Sequence, residues 1–370
     1  MNPGDHLIYD WNRVGGAGLS LKVEIEDHTP AVAPCALKDR LKFIPLAAAV
    51  GITAVNVGPA GPDATAMIAA AREAGLEPVV MLALGEKFDG DAIGEVRVWA
   101  SRLRQHSHAF KDEKKYLDEV ARRLDGRRRK VILEDASRAH PDTLAALLRI
   151  CAGTDAVVLD DSAGLATPHA VRRLVEFARE HAPDVRIEWS GHNERDLAVV
   201  NCLDAVHAGA SALHASVLSC GHGPGLAALD HLLVNLRLLG YIDRDLSRLG
   251  EHVEAVAAAC GFQIPVNYPV FGKDAFRTAT GVHAAAIVKA QAKGEDWLAD
   301  RVYSGVPAGW FGRSQVIDIG PMSGESNVVA WLRQHGREPE PDLVKRIIAR
   351  AKTSNHILSV EEVEAEIASH

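Results

Sequence analysis

The stretch KVILEDASRAHPDTLAALLRICAGTDAVVLDD, residues 130–161, decides the fold. It opens on a short β-branched run, KVILED (130–135), and closes on a second, AVVLDD (156–161). Between them HPDTLAALLRICAG (140–153) spaces its leucines as one face of a helix. Short apolar runs of this kind suit strands buried on both faces of a parallel sheet, and the intervening segment is long enough for a crossover helix.

Working outward, the same alternation recurs. The further runs are LKVEIED (21–27), ITAVNVG (52–58), EPVVML (77–82), EVRVWA (95–100), RIEWS (186–190) and SALHASV (211–217). Helical stretches such as ATAMIAAAREAG, TPHAVRRLVEFAREH and NERDLAVVNCLDAVHAG separate them, several ending in glycine as helix C-termini do. Eight strand–helix units predict an α/β chain folded as a TIM (β/α)8 barrel. The rival, an open doubly wound sheet, expects a G-x-G-x-x-G turn after the first strand, and none stands there. After residue 240 the rhythm gives way to helices and a Pro- and Gly-punctuated segment, IPVNYPVFGKDAF. The expected organisation is a barrel over 1–240 and a helical C-terminal dimerisation region over 241–370, with no room for a regulatory domain.

With 47% hydrophobic and 24% charged residues the chain is neither disordered nor fibrous, and its formal charge of −8 gives no reason to expect a nucleic-acid partner. The five cysteines are odd in number and form no C-x-x-C pair, which points to a reducing cytoplasm rather than a disulfide framework. The N-terminus lacks a basic segment followed by an apolar one, and no apolar stretch is long enough to span a membrane. The basic run Arg127, Arg128, Arg129, Lys130 reads as a solvated loop at the barrel bottom.

In such a barrel the chemistry gathers at the C-terminal ends of the strands. Those ends carry Glu26, Asp27 and His28; Glu134 and Asp135; Asp160 and Asp161; Ser190, His192 and Asn193; and, after the eighth run, Ser219, Cys220 and His222.

These residues also carry a family resemblance. VILEDASRAHPDTL (131–144), VLDDSAGLATP (158–168), WSGHNERDLAVVNCLDAVHAGASALHASV (189–217) and PVNYPVFGKDAFRTATGVHAAAI (265–287) resemble the DRE-TIM metallolyases. That family includes 2-isopropylmalate synthase, homocitrate synthase and 3-hydroxy-3-methylglutaryl-CoA lyase. The resemblance implies a divalent metal that polarises a 2-oxo acid and stabilises enolate-like charge. The family's first-strand motif, Asp-x-Thr-Leu-Arg-Asp-Gly, is matched here by Glu26-Asp27-His28-Thr29-Pro30, without the Arg and the ligand Asp. Its His-x-His pair reads Ser190-Gly191-His192, and its Gly-x-Gly-Glu-Arg-x-Gly-Asn motif places His222 at the Glu and Leu226 at the Asn. Thr167, Glu134, Asp135 and Asn193 stand at family-like positions, and His283 matches a histidine that reaches a neighbouring subunit's site in the synthases.

The resemblance thus implies a kept barrel with an altered centre. The expected catalytic groups are His192, Cys220, His222 and His283, with His28, Glu134, Asp161, Thr167, Ser190 and Asn193 binding substrate. A thiolate of Cys220 activated by His192 or His222 is one route to catalysis. A rebuilt zinc site of His28, His192, Cys220 and His222 is another, and otherwise no cofactor is expected. Two functions remain open. One is a metal-independent enzyme that makes, breaks or transfers a C–C or acyl bond on a small carboxylate, a 2-oxo acid or an acyl-CoA. The other is a silent homologue that forms a heteromer with an active synthase and modulates it. Either is expected as a homodimer through the C-terminal region.

Overall fold

The computed structural model describes residues 23–88, 90–101, 112–124 and 129–369. The chain divides into two compact units, with the boundary after Gln263.

In the first unit, eight parallel strands close into a barrel in chain order. They are β1 (Glu24–Asp27), β2 (Ala54–Pro59), β3 (Glu77–Leu82), β4 (Ile93–Trp99), β5 (Arg129–Glu134), β6 (Ala156–Asp161), β7 (Arg186–Gly191) and β8 (Ala212–Ala215). The barrel closes where β8 pairs β1, setting Glu26 opposite His214. Around it lie α1 (Thr29–Val32), α2 (Leu37–Ala49), α3 (Pro62–Glu73), α4 (Glu113–Arg123), α5 (Pro141–Ile150), α6 (Pro168–His181), α7 (Ala198–Ala208), α8 (Leu229–Leu238) and α9 (Leu249–Cys260). All eight expected runs are strands, and the TIM barrel stands. Among the described residues, however, β3 passes to β4 without a helix: residues 83–92, ALGEKFDGDA, hold two glycines and little apolar periodicity.

The first unit extends past the expected boundary at 240. Helix α9 packs on α2, and its Leu249, Val253 and Val256 are buried. That apolar stripe ties 249–260 to the barrel, and the second unit begins at Ile264.

The basic run is corrected too. Arg127 and Arg128 lie outside the described residues, whereas Arg129 and Lys130 open β5 and are buried, at 8% and 6% exposure. The strand starts earlier than its apolar residues suggest, so Lys130 points into the barrel rather than into solvent.

The second unit holds α10 (Gly281–Ala292), α11 (Asp296–Ala299), α12 (Glu325–Gln334), α13 (Pro341–Thr353) and α14 (Val360–Ala368), with a two-stranded parallel sheet of β9 (Arg277–Thr278) and β10 (Val316–Ile317). Trp331, Leu332, Val344, Ile347 and Val363 form its main core, and Ala284, Ile287 and Ile317 a second one. Among the described residues no helix is long and apolar enough to cross a membrane.

Candidate active site

Side chains alternate along a strand, so the residues at the barrel mouth share their inward direction with those two positions deeper. At the mouth lies a cavity of about 170 Å³, smaller than a drug-sized site. Arg97 from β4, Glu134 from β5, Asp160 from β6, and Ser190 and His192 from the end of β7 line it, with His28 after β1. Arg97 Nη1 donates to Glu134 Oε1 at 2.9 Å, and among the described residues Nη2 meets only the weak acceptor Met81 Sδ, at 3.8 Å. A guanidinium so placed can turn its second nitrogen to an anion. Sequence reasoning missed Arg97. Its signal was parity: in EVRVWA it alternates with buried Val96 and Val98.

The remaining wall is the loop after β8, which brings Gly221, His222, Gly225 and Leu226 to the cavity. Leu218 and Ser219 take left-handed backbone, with φ of 55° and 53°. Gly225, at φ +74°, passes so close to Ser219 that a Cβ there would lie 1.6 Å from its carbonyl oxygen, so only glycine fits. Asp230 at the start of α8 accepts from Leu218 N at 2.9 Å, and Asn193 N donates to Gly225 O at 2.9 Å. The loop is thereby held from both sides. His222 is exposed at its tip, and His192 Nδ1 stands 3.3 Å from Glu194 Oε1.

Beneath the mouth the barrel is filled with charge instead of the usual branched aliphatic side chains. Glu26, Asn56, Glu95, Lys130, Glu188 and His214 are all buried. Lys130 Nζ donates to Glu26 Oε2 at 2.8 Å and to Glu188 Oε2 at 2.9 Å. Asn56 Nδ2 bridges Glu26 Oε1 and Glu95 Oε1, at 3.1 and 3.2 Å. His214 Nε2 meets Glu188 Oε2 at 2.9 Å, and its Nδ1 lies 3.0 Å from His28 Nε2. His28 Nε2 is also 3.0 Å from Glu26 Oε1, which links this layer to the cavity above.

Burial works against the ionisation of Glu26, but Lys130, His214 and His28 outweigh it and hold its carboxyl well below the usual range. Glu188 is likewise lowered, burial being opposed by Lys130 and His214. Glu95 goes the other way: burial, with the neighbouring Glu26 charge, pushes its carboxyl up to about 7. Its Oε2 is buried and has no hydrogen-bond partner. Glu26, His28, Glu95 and His214 offer donor atoms that all lie within 4.8 Å of one another, a set that could hold a metal ion.

Of the expected site residues, His28, Glu134, Ser190, His192 and His222 meet at the cavity. The others do different work. Cys220 is 1% exposed, burial pushes its thiol up to about 11, and its sulfur contacts Cys260. Cys220 is not among the residues lining the cavity, and a buried thiol with its pKa pushed up is a poor nucleophile. Accordingly, Cys220→Ala is expected to leave turnover and ligand affinity within about twofold, as read by steady-state rates and titration. Asp161 accepts from Ser137 Oγ at 2.5 Å and from Leu165 N and Ala166 N at 3.1 and 2.8 Å, which ties down the turn after β6. Thr167 caps α6 by accepting from Ala170 N, and Asn193 Oδ1 accepts from Ala198 N at 3.2 Å. Asp135 pairs with Arg138 Nε at 2.7 Å. Asp27 Oδ1 accepts from Thr29 N and Thr29 Oγ1, at 2.8 and 2.5 Å, and serves the turn into α1. His283 lies in the second unit, on α10, stacked on Tyr303 with ring centroids 3.7 Å apart.

The HMGL-like family pattern matches residues 95–256, from β4 through α9. Over this stretch the barrel is similar to the DRE-TIM metallolyases. A homocitrate synthase of Methanopyrus kandleri, AksA, is 32% identical over 223 residues, covering 59% of this chain and 54% of that protein. The (R)-citramalate synthase of Aquifex aeolicus is 29% identical over 247 residues, 65% of this chain and 44% of that one. The chain thus spans about half the length of the curated relatives it matches. Among solved structures, the HMG-CoA lyase of Bacillus subtilis shares the fold with a TM-score of 0.54 at 18% identity, over 66% of this chain and 96% of the lyase. Hydroxymethylglutaryl-CoA lyase of Pseudomonas aeruginosa gives 0.51 at 19%, over 65% and 94%. The barrel is thus similar in sequence to synthases and shares its fold with the two lyases.

Proposed function

We propose that the barrel mouth is an active site for a small carboxylate, a 2-oxo acid or the acyl group of a CoA thioester, at which a C–C or acyl bond is made, broken or transferred. The observation that carries this reading is the meeting of the Arg97 guanidinium with the imidazoles of His192 and His222 in one small cavity at the catalytic end of the barrel. Arg97 pairs with the carboxylate, Ser190 Oγ is placed to donate to a neighbouring oxygen, and His192 takes or gives the proton. His222, on the exposed tip, is the second proton-transfer group.

The family's divalent ion does not fit the positions where its relatives hold it. Ser190 and Leu226 replace two ligands, and Asp27, whose Oδ1 is engaged by Thr29, is not among the residues lining the mouth. One imidazole, His192, does not hold Mg²⁺ or Mn²⁺ there. Proton transfer and anion binding at the mouth therefore rest on this chain's own side chains.

The test is release of free thiol from acetyl-CoA with a panel of 2-oxo acids, and the reverse cleavage of their condensation products. Turnover by the purified chain is expected, with a loss of about 10²-fold or more in His192→Ala. Leu226, an apolar residue at the mouth, favours a second reading, a silent partner that modulates an active synthase. Binding of 2-oxo acids without turnover would select that one, and neither binding nor turnover would sink both.

A further inference from the structure

We propose that Glu26, His28, Glu95 and His214 bind one zinc ion, as a closed structural site in the barrel interior. This site lies one layer below the mouth, with which it shares His28 but not Ser190, His192 or Leu226. It stands whether or not the mouth is catalytic.

Geometry is the first argument. A tetrahedral zinc with bonds of about 2.0–2.2 Å sets its donors about 3.4 Å apart. His28 Nε2 already stands 3.0 Å from His214 Nδ1 and 3.0 Å from Glu26 Oε1, and Glu95 completes the set within 4.8 Å. The second argument is an unpartnered group. Glu95 is 0% exposed, and its Oε2 has no hydrogen-bond partner, a costly state that a cation would relieve.

The surroundings supply what a zinc histidine needs. Glu188 Oε2 receives the Nε2 proton of His214 at 2.9 Å, which leaves the Nδ1 lone pair facing His28. His28 presents Nε2 when its own ring proton sits on Nδ1. Charge also balances. The two carboxylates among the donors, Glu26 and Glu95, carry when ionised the charge that one divalent ion neutralises. Two imidazole nitrogens and two carboxylate oxygens favour zinc over Mg²⁺ or Ca²⁺, which take oxygen ligands. His28 lines the cavity and gives the ion its way in.

The experiment is metal analysis of the intact chain after desalting, as purified and after chelation followed by zinc chloride alone, with thermal unfolding as a second readout. One zinc per chain is expected, with a rise in Tm of about 5 °C or more on zinc addition. Glu95→Gln, nearly isosteric, and His28→Ala are each expected to lose zinc retention at least tenfold while keeping the wild-type circular dichroism spectrum. His192→Ala is expected to retain the ion in full. The site would be overturned by wild-type protein that holds no zinc in either preparation. Zinc that survives Glu95→Gln and is lost in His192→Ala would overturn it equally, by placing the metal at the mouth.

Discussion

Lys130→Met is expected to lower the unfolding free energy by about 3–5 kcal/mol, read by urea denaturation near pH 7. The ammonium is shared by Glu26 and Glu188, at 2.8 and 2.9 Å, in a layer closed to water. Removing it takes the ammonium from two buried carboxylates and leaves them the weaker support of His28 on Glu26 and of His214 and the more distant Arg186 on Glu188. The pH dependence carries its own sign. In the wild type both carboxyls lie below their ordinary value of 4.5 in the folded state. Their contribution is therefore present above about pH 4.5 and is lost as the pH falls through the folded values. In Lys130→Met the folded values rise, so less of that contribution remains to be lost in acid. The gap between the two proteins is then expected to close on acidification. A loss below about 1 kcal/mol at pH 7, or a gap that widens in acid, would show that Lys130 does not neutralise these carboxylates.

Arg97→Ala is expected to reduce the affinity for a 2-oxo acid, or kcat/KM where turnover is measured, by about 10²-fold or more. With its side chain 43% exposed, Arg97 adds little to the fold, so the effect should fall on the ligand and leave Tm within a few degrees. Arg97→Lys is expected to recover part of the loss, about tenfold, because a lysine restores the charge but not the planar fork. An unchanged affinity in Arg97→Ala would remove the guanidinium from the site. Equal losses in the alanine and lysine variants would mean that the fork, not the charge, does the binding.

How much of this was legible in the sequence depends on which signal each part left. The strands were, because a parallel barrel strand is apolar on both faces and KVILED or AVVLDD has no other good solution. Helix α9 was misassigned because its apolar stripe says that it packs but not on what. The mouth was half legible. His28, Glu134, Ser190, His192 and His222 follow from their place at strand ends, while Asp161, Thr167 and Asn193 occupy similar places and serve the backbone of the turns instead. Nothing local separates a carboxylate that caps a loop from one that meets a ligand. Cys220 was misread because neighbours in sequence, Cys220 and His222, diverge when the loop between Ser219 and Gly225 folds back on itself. The charged layer was the largest omission. Glu95, Lys130, Glu188 and His214 each lie inside an apolar run at the inward parity, and a charge there has to find partners on other strands. Barrel closure supplies them, as in the pairing of β8 with β1 that sets His214 opposite Glu26.

The position of a bound 2-oxo acid tests the reading of the mouth most directly. In crystals of the intact chain soaked with pyruvate or 2-oxoglutarate, the carboxylate is expected within about 3 Å of the Arg97 guanidinium, with the oxo group facing Ser190 and His192. A ligand bound away from Arg97, or a mouth left empty at saturating concentrations of both acids, would contradict it.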